Sequence, residues 1–219
     1  MEEKNIYDDF EEEYTLNDEI FKSPFNALYW SLAAKEMKTV RNLCLIALIT
    51  ALRVVCQSTS IPIVKGYLEI QFDFIPAVIG AIMFGPWVSI VTGFIADNVG
   101  FLLNPGSAYN ACYTLSAILI GFIFSLFLYR QKITVLKIFI SRLLINAFVN
   151  VFLGTLWIYI FYNTKGKGFF ILMSTRALKN AIALPLETII MVILVGLLIP
   201  ILKGKKYISK KINDKISFI

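Results

Sequence analysis

The sequence contains no histidine. That excludes His-ligated zinc, the Ser-His-Asp triad and the Cys-His dyad. Charge is scarce as well: Asp, Glu, Lys and Arg make up only 16% of the 219 residues, where a soluble domain carries about 25%. Cysteine is limited to Cys44, Cys56 and Cys112, with no CxxC pair and no metal-ligand spacing. The three read as small apolar residues with reduced thiols, and no metal site is expected. There is no P-loop, no GxGxxG after a strand, no HExxH and no GxSxG. The chain therefore carries no recognisable machinery for nucleotide hydrolysis or acyl transfer. No catalytic residue, no cofactor and no nucleic-acid partner are expected, and the chain reads as a non-enzyme.

What is present is apolar surface: 58% of residues are hydrophobic, and the mean hydropathy is +0.72. That is too apolar for a soluble core-and-shell arrangement and points to an integral membrane protein. A crossing helix needs about 20 apolar residues. Runs of that kind lie near Val40–Gln57, Ile70–Phe84, Pro86–Leu103, Tyr109–Tyr129, Val135–Tyr162 and Ala177–Leu202. Gly85-Pro86 and Asn104-Pro105-Gly106-Ser107 break the runs that they separate. The expected fold is all-α, a bundle of six transmembrane helices.

The ends differ from the middle. Residues 1–19 hold nine acidic side chains and one Lys, a composition that cannot build a core. The expected organisation is an acidic, disordered tail over 1–20, an amphipathic interfacial helix over 21–37, a membrane domain over 38–203 and a basic tail over 204–219. Ser23-Pro24 suits the start of the interfacial helix. Lys and Arg cluster before the first span, between the fourth and fifth, and after the sixth. The positive-inside rule then puts both termini in the cytoplasm of a multi-pass plasma-membrane protein.

Polar residues inside the spans carry the functional signal, because a charge in hydrocarbon must face the bundle interior or a watery cavity. Under this topology Arg53, Asp97, Asn98, Asn104, Asn110, Arg176, Lys179 and Asn180 fall in the outer half. At about 100° per residue, Arg142, Asn146, Asn150 and Trp157 share a face of the fifth span, as Arg176, Asn180 and Glu187 do on the sixth. Tyr109, Tyr113 and Ser116 share a face on the fourth, and Gly93, Asp97 and Gly100 on the third. These groups outline a pocket open to the outside, or else serve as hydrogen-bonded glue between helices. Arg142 and Glu187 lie deeper, where an ion pair is as natural as a ligand contact. On the first span, Ala47 and Ala51 form a small-xxx-small pair on the side away from Arg53, a surface for a close-packing partner helix.

Stretches in one order along residues 21–202 resemble the substrate-binding (S) subunits of energy-coupling factor (ECF) transporters, and within them the folate family. They are Ser23-Pro24-Phe25 with Tyr29-Trp30, Ile46 to Val55, Phe84-Gly85-Pro86, Asp97 to Phe101, and Tyr113 to Ala117. Gly121 to Arg130, Asn146 with Asn150, Arg176 with Lys179-Asn180, and Pro185-Leu186-Glu187 complete the series. The resemblance implies a bacterial vitamin-binding subunit with six helices that holds its solute in the outer half. It also implies a transmembrane coupling subunit that meets Ala47 and Ala51, and two cytoplasmic ATPase subunits that supply the energy. One departure stands out: the family often carries an aromatic-Pro-Gly sequence where this chain has Asn110-Ala111-Cys112.

Folate suits the residues chemically. Tyr109, Tyr113 and Trp157 offer stacking faces for a pterin ring. Asp97, Asn98, Asn146 or Asn150 offers groups for its polar edge, and Asn104 and Asn180 are further candidate substrate contacts. Arg53, Lys65, Lys165, Lys167, Arg176 and Lys179 offer cations for the glutamate tail, with an ordinary solvated loop as the favoured alternative for Lys165 and Lys167. Pantothenate or hydroxymethylpyrimidine as solute, or a scaffold protein with no solute, remain the alternatives at this point.

Overall fold

The structure is a computed structural model that describes residues 20–58, 60–64, 68–103, 109–161, 168–205, 207–209, 211–212 and 216–218, and for 60–64 and 68–71 the backbone alone. The acidic segment, Asn104, Lys65, Lys165 and Lys167 lie outside the described residues.

Helix α1 (Ala27–Lys35) leads into α2 (Val40–Gln57). A short antiparallel hairpin, β1 (Ser60–Val64) and β2 (Leu68–Gln71), precedes α3 (Phe74–Leu103). Then come α4 (Ala111–Leu128), α5 (Val135–Leu144), a π-helical stretch (Ile145–Leu153), α6 (Gly154–Phe161) and α7 (Phe169–Gly204). Among the described residues, five helical elements are long and apolar enough to cross a membrane: α2, α3, α4, the α5–π–α6 rod and α7.

Six spans are expected from the sequence, and five elements have the length and hydropathy of one; α3 supplies two of the helical segments because it is two limbs. Gly85 adopts φ 77 and ψ −164, outside the helical region, and Pro86 follows it. A straight helix would hold Asp73 and Asp97 about 36 Å apart at 1.5 Å per residue. Both nevertheless lie close enough to Arg53 to interact with it electrostatically, so the chain reverses at Gly85 and the limbs run side by side. The second limb also runs antiparallel to α4: Gly93 lies against Ala117 and Ile118, and Gly121 against Ser89. A Cβ at Gly93 would stand 2.9 Å from the Ala117 carbonyl oxygen, so glycine there permits the close approach of the two backbones.

Span edges shift where local pairing competes with hydropathy. The run that begins at Ile70 becomes helix only at Phe74, because residues 68–71 are the second strand of the hairpin. Span four begins at Ala111, where the Asn110 carboxamide oxygen accepts the Cys112 N–H at 3.0 Å. Span six begins at Phe169, well before Ala177. The helix expected over 21–37 covers only Ala27–Lys35, because Asn26 rather than Ser23 is its N-cap, accepting the Leu28 N–H at 3.0 Å.

One end of the bundle, the base, is closed by aromatic packing. Tyr29 of α1 is fully buried, edge-on to Phe21, Trp30 and Tyr129, and its hydroxyl donates to the Ser125 carbonyl at 2.8 Å. The Phe21 N–H donates to the Arg130 carbonyl at 2.8 Å. Arg130 in turn pairs with Glu36 at 3.2 Å, and Tyr129 O–H donates to the same carboxylate. Burial pushes the Glu36 carboxyl above its ordinary value, and the Arg130 guanidinium opposes that shift. The C-terminal segment folds onto the same end, with Ile208 and Ile212 buried and Val135 N–H donating to the Ser217 carbonyl. Arg41 lies over the Tyr207 ring, 4.5 Å from its centroid.

Gly85 is the position where this arrangement is least tolerant. A Cβ there would meet the Tyr129 ring at 2.8 Å, on a backbone that L side chains rarely adopt. Gly85→Ala is expected to cost about 1–3 kcal/mol from the dihedral angle alone, and more with the clash. A thermal unfolding midpoint of detergent-purified protein unchanged by this substitution would contradict the reversal at Gly85.

Candidate functional site

Away from the base, α2, the second limb of α3, α4, the π segment and α7 bring most of the expected polar residues into two linked groups.

The first group surrounds Arg53. Its side chain is 1% exposed, and Nη2 donates to the Ala117 carbonyl at 2.9 Å. Asp73 and Asp97 flank it electrostatically. Among the described residues, Arg53 Nε and Nη1 have no hydrogen-bond partner. A buried guanidinium with two unmatched nitrogens is unusual, since such donors cost free energy when unmet. Asp97 accepts a hydrogen bond from the Thr114 hydroxyl at 2.6 Å. Tyr109 O–H donates to the Asn98 carboxamide oxygen at 2.8 Å, and the Asn98 amide donates to the Phe94 carbonyl. The Tyr109 ring meets Phe101 edge-on at 5.2 Å.

The second group is a ladder through the π segment to α7. Glu187 and Arg142, both buried, form an ion pair with Nη2 2.7 Å from Oε1 and Nε 2.9 Å from Oε2. The Asn146 amide donates to Glu187 Oε2 at 3.1 Å, and the Asn150 amide donates to Asn146 Oδ1 at 2.9 Å. The Asn150 backbone carbonyl accepts both Nε and Nη2 of Arg176, at 3.3 and 3.1 Å. Arg176 lies flat against the rod because residue 154 is glycine; a Cβ there would stand 2.6 Å from Nη2. π-helical turns inside α-helices are frequent at functional sites, and this one carries Asn146 and Asn150.

Helix α4 joins the groups. Its Thr114 faces Asp97, its Ser116 accepts the Trp157 indole N–H at 3.0 Å, and its Tyr113 lies within electrostatic reach of Arg176. Asn180 donates back to the Arg176 carbonyl on its own helix. Lys179 is exposed and stands apart from both groups. Arg142 and Glu187 take the ion-pair role that their depth allowed. Three contributors escaped the sequence reading. Thr114 is an unremarkable residue in an apolar run, Gly154 matters only through its neighbour, and the π segment has no sequence signature. The signal for Thr114 was available in principle, since it lies four residues before Ile118 on the side that faces Gly93.

Ala47 and Ala51 are exposed while Arg53 is buried, so α2 presents its small residues away from both groups. Leu48, Leu52 and Val55 are exposed beside them.

Thr114→Val keeps the shape and removes the donor to Asp97. It is expected to destabilise the protein by about 1–3 kcal/mol by leaving a carboxylate oxygen unmet, whereas Thr114→Ser keeps most of the stability. The two unfolding midpoints distinguish a working hydrogen bond from an incidental contact; equal midpoints would dismiss the bond.

Known proteins share this fold. A family model described as the ECF transporter, substrate-specific component, matches residues 41–195. The chain is 31% identical over 154 residues to the folate transporter FolT of Clostridium novyi, covering 70% of this chain and 87% of that protein. It is 25% identical over 151 residues to the folate transporter FolT of Leuconostoc mesenteroides, covering 67% and 80%. A crystal structure of FolT bound with folic acid superposes with a TM-score of 0.61 at 28% identity, covering 69% of this chain and 89% of that one. The match spans the polar half and five of the membrane-crossing rods, up to residue 195 in α7. This multi-pass membrane chain belongs to the substrate-specific components of ECF transporters.

Proposed function

We infer that this chain captures folate from outside the cell and delivers it through an ECF importer, without catalytic chemistry of its own. The observation that carries this reading is the likeness, over most of both chains, to a FolT structure with folic acid bound. The residues support it. The Asn98–Tyr109 pair, Tyr113 and Trp157 supply aromatic faces and amides for a flat heteroaromatic ring. Arg53, with buried unmatched donors, supplies a cation for a dicarboxylate, and Arg176, pinned at one edge of its fork beside Asn146 and Asn150, supplies further donors to the ring. Asp97, held by Thr114, adds an acceptor to the same reading, Asn180 and Asn104 add amides, and the exposed Lys179 adds a cation at its outer edge.

The basic base faces the cytoplasm. Lys35, Lys38, Arg41, Lys132 and Lys205 are exposed at that end, and the positive-inside rule orients it so. Helix α1 then lies at the membrane surface, with Phe25 94% exposed toward lipid. The polar half opens outward. The Ala47–Ala51 face takes the transmembrane coupling subunit, and two ATPase subunits complete the importer.

Purified protein in nanodiscs, without nucleotide, is expected to bind folic acid at one site per chain in isothermal titration. Absence of heat with both oxidised and reduced folates would overturn the folate assignment. Ala51→Leu is expected to abolish cellular folate uptake while titration still shows wild-type affinity, because bulk on that face blocks helix approach and leaves Arg53 untouched. Parallel loss of binding and uptake would overturn the assignment of that face to a partner.

A further inference from the structure

We propose that Glu187 is a positioning residue that sets the hydrogen-bond polarity of the Asn146–Asn150 ladder, so that its open end shows the solute an acceptor beside a cation. The proposal rests on the folate reading and deepens it. An ionised carboxylate can only accept hydrogen bonds, whereas a carboxamide can be turned either way round. Glu187 is buried with both oxygens occupied: Oε1 by Arg142, and Oε2 by Arg142 and Asn146. Asn146 must therefore turn its NH2 group to Glu187, which turns Oδ1 toward Asn150. Asn150 must then offer its own NH2 to Asn146, at 2.9 Å. Its Oδ1 is left as the terminal acceptor of the ladder. The same residue's backbone carbonyl holds Arg176 by two N–H groups. A guanidinium has five such donors, so the rest of the fork stands beside that acceptor.

This edge, an acceptor next to a donor cation, complements a ligand edge that carries an N–H donor next to an acceptor. The amide-like N3–H and O4 of an oxidised pterin have that pattern. The 4-amino analogue inverts it: N3 becomes a bare acceptor and the neighbouring oxygen becomes an NH2 donor. The charge on Glu187 is thus read out by the ligand two amides away, without touching it.

The test is the ratio of dissociation constants for 4-aminofolic acid and folic acid. Wild-type protein is expected to favour folic acid at least tenfold. Arg142→Met combined with Glu187→Gln removes both charges together, so no lone charge is left buried. The carboxamide introduced by Glu187→Gln can accept from Asn146 or donate to it, and the ladder loses its fixed sense. The ratio is then expected to fall at least fivefold, with both unfolding midpoints measured alongside. Glu187→Gln alone is the second variant, expected to lower the ratio in the same direction. A merely structural role would weaken both ligands equally and leave the ratio where it was. A wild-type ratio below twofold overturns the proposal, as does an unchanged ratio in either folded variant. Failure of wild-type protein to bind folic acid overturns the folate reading itself, which separates the two failures.

Discussion

A guanidinium that belongs to a membrane-crossing helix has to be held inside protein, and the burial of Arg53 organises the architecture around it. Only 1% of its surface is exposed. It bonds the backbone of α4 at Ala117, and it is flanked by Asp73 and Asp97 from the two ends of the α3 hairpin. Both carboxylates are half-buried and favour the buried cation through their field, while the direct contact to the guanidinium comes from the α4 carbonyl. The reversal at Gly85 brings the two acids together, and the glycines at 93 and 121 let α4 come close enough for its carbonyl to reach. Charge burial and chain topology therefore fix one another here. Because the one carbonyl does not exhaust the guanidinium's donors, the same arrangement that closes the fold leaves hydrogen-bonding capacity over.

The base is built on the opposite principle. Its polar groups are matched to one another: Tyr29 to Ser125, Tyr129 and Arg130 to Glu36, Asn42 to both Glu36 and its backbone. Aromatic edges fill the space between them. Closed hydrogen bonds inside an apolar setting favour a single packing, so the base is a fixed platform from which the longer helices project.

Hydropathy alone made the bundle legible, since apolar runs of about 20 residues admit few other structures, and Gly85-Pro86 was readable as a break. The edges were not legible. Ile70 and Phe72 are apolar, so residues 68–71 resemble the start of a span although backbone pairing with 60–64 makes them a strand. Arg176, Lys179 and Asn180 interrupt the sixth run, so the helical segment from Phe169 onward was missed. For the site, regular helical periodicity placed Arg142, Asn146 and Asn150 together, and all three join one ladder. It placed Trp157 with them too, but the chain passes through π-helical turns before Trp157, and the indole bonds Ser116 on α4 instead. Asn98 and Tyr109, 11 residues apart and on either side of the turn signal in the sequence, form a pair that no local pattern describes.

The ladder and the split face of α2 show two ways of accommodating polar groups in lipid. Arg142 and Glu187 neutralise each other, and replacing such a pair with apolar residues is often neutral or stabilising. Stability alone is then a weak reason to keep them, whereas a fixed amide polarity is a consequence that apolar residues cannot supply. On α2 the division is by direction: Arg53 faces inward and Ala47 and Ala51 outward on one 18-residue helix. That helix is continuous from Val40 to Gln57 with no proline or glycine within it, so two common causes of a sharp kink are absent. A shift of Arg53 therefore carries the outer alanines with it as one body. Helix stiffness alone links the inner and outer faces, and no chain of intervening side chains is needed.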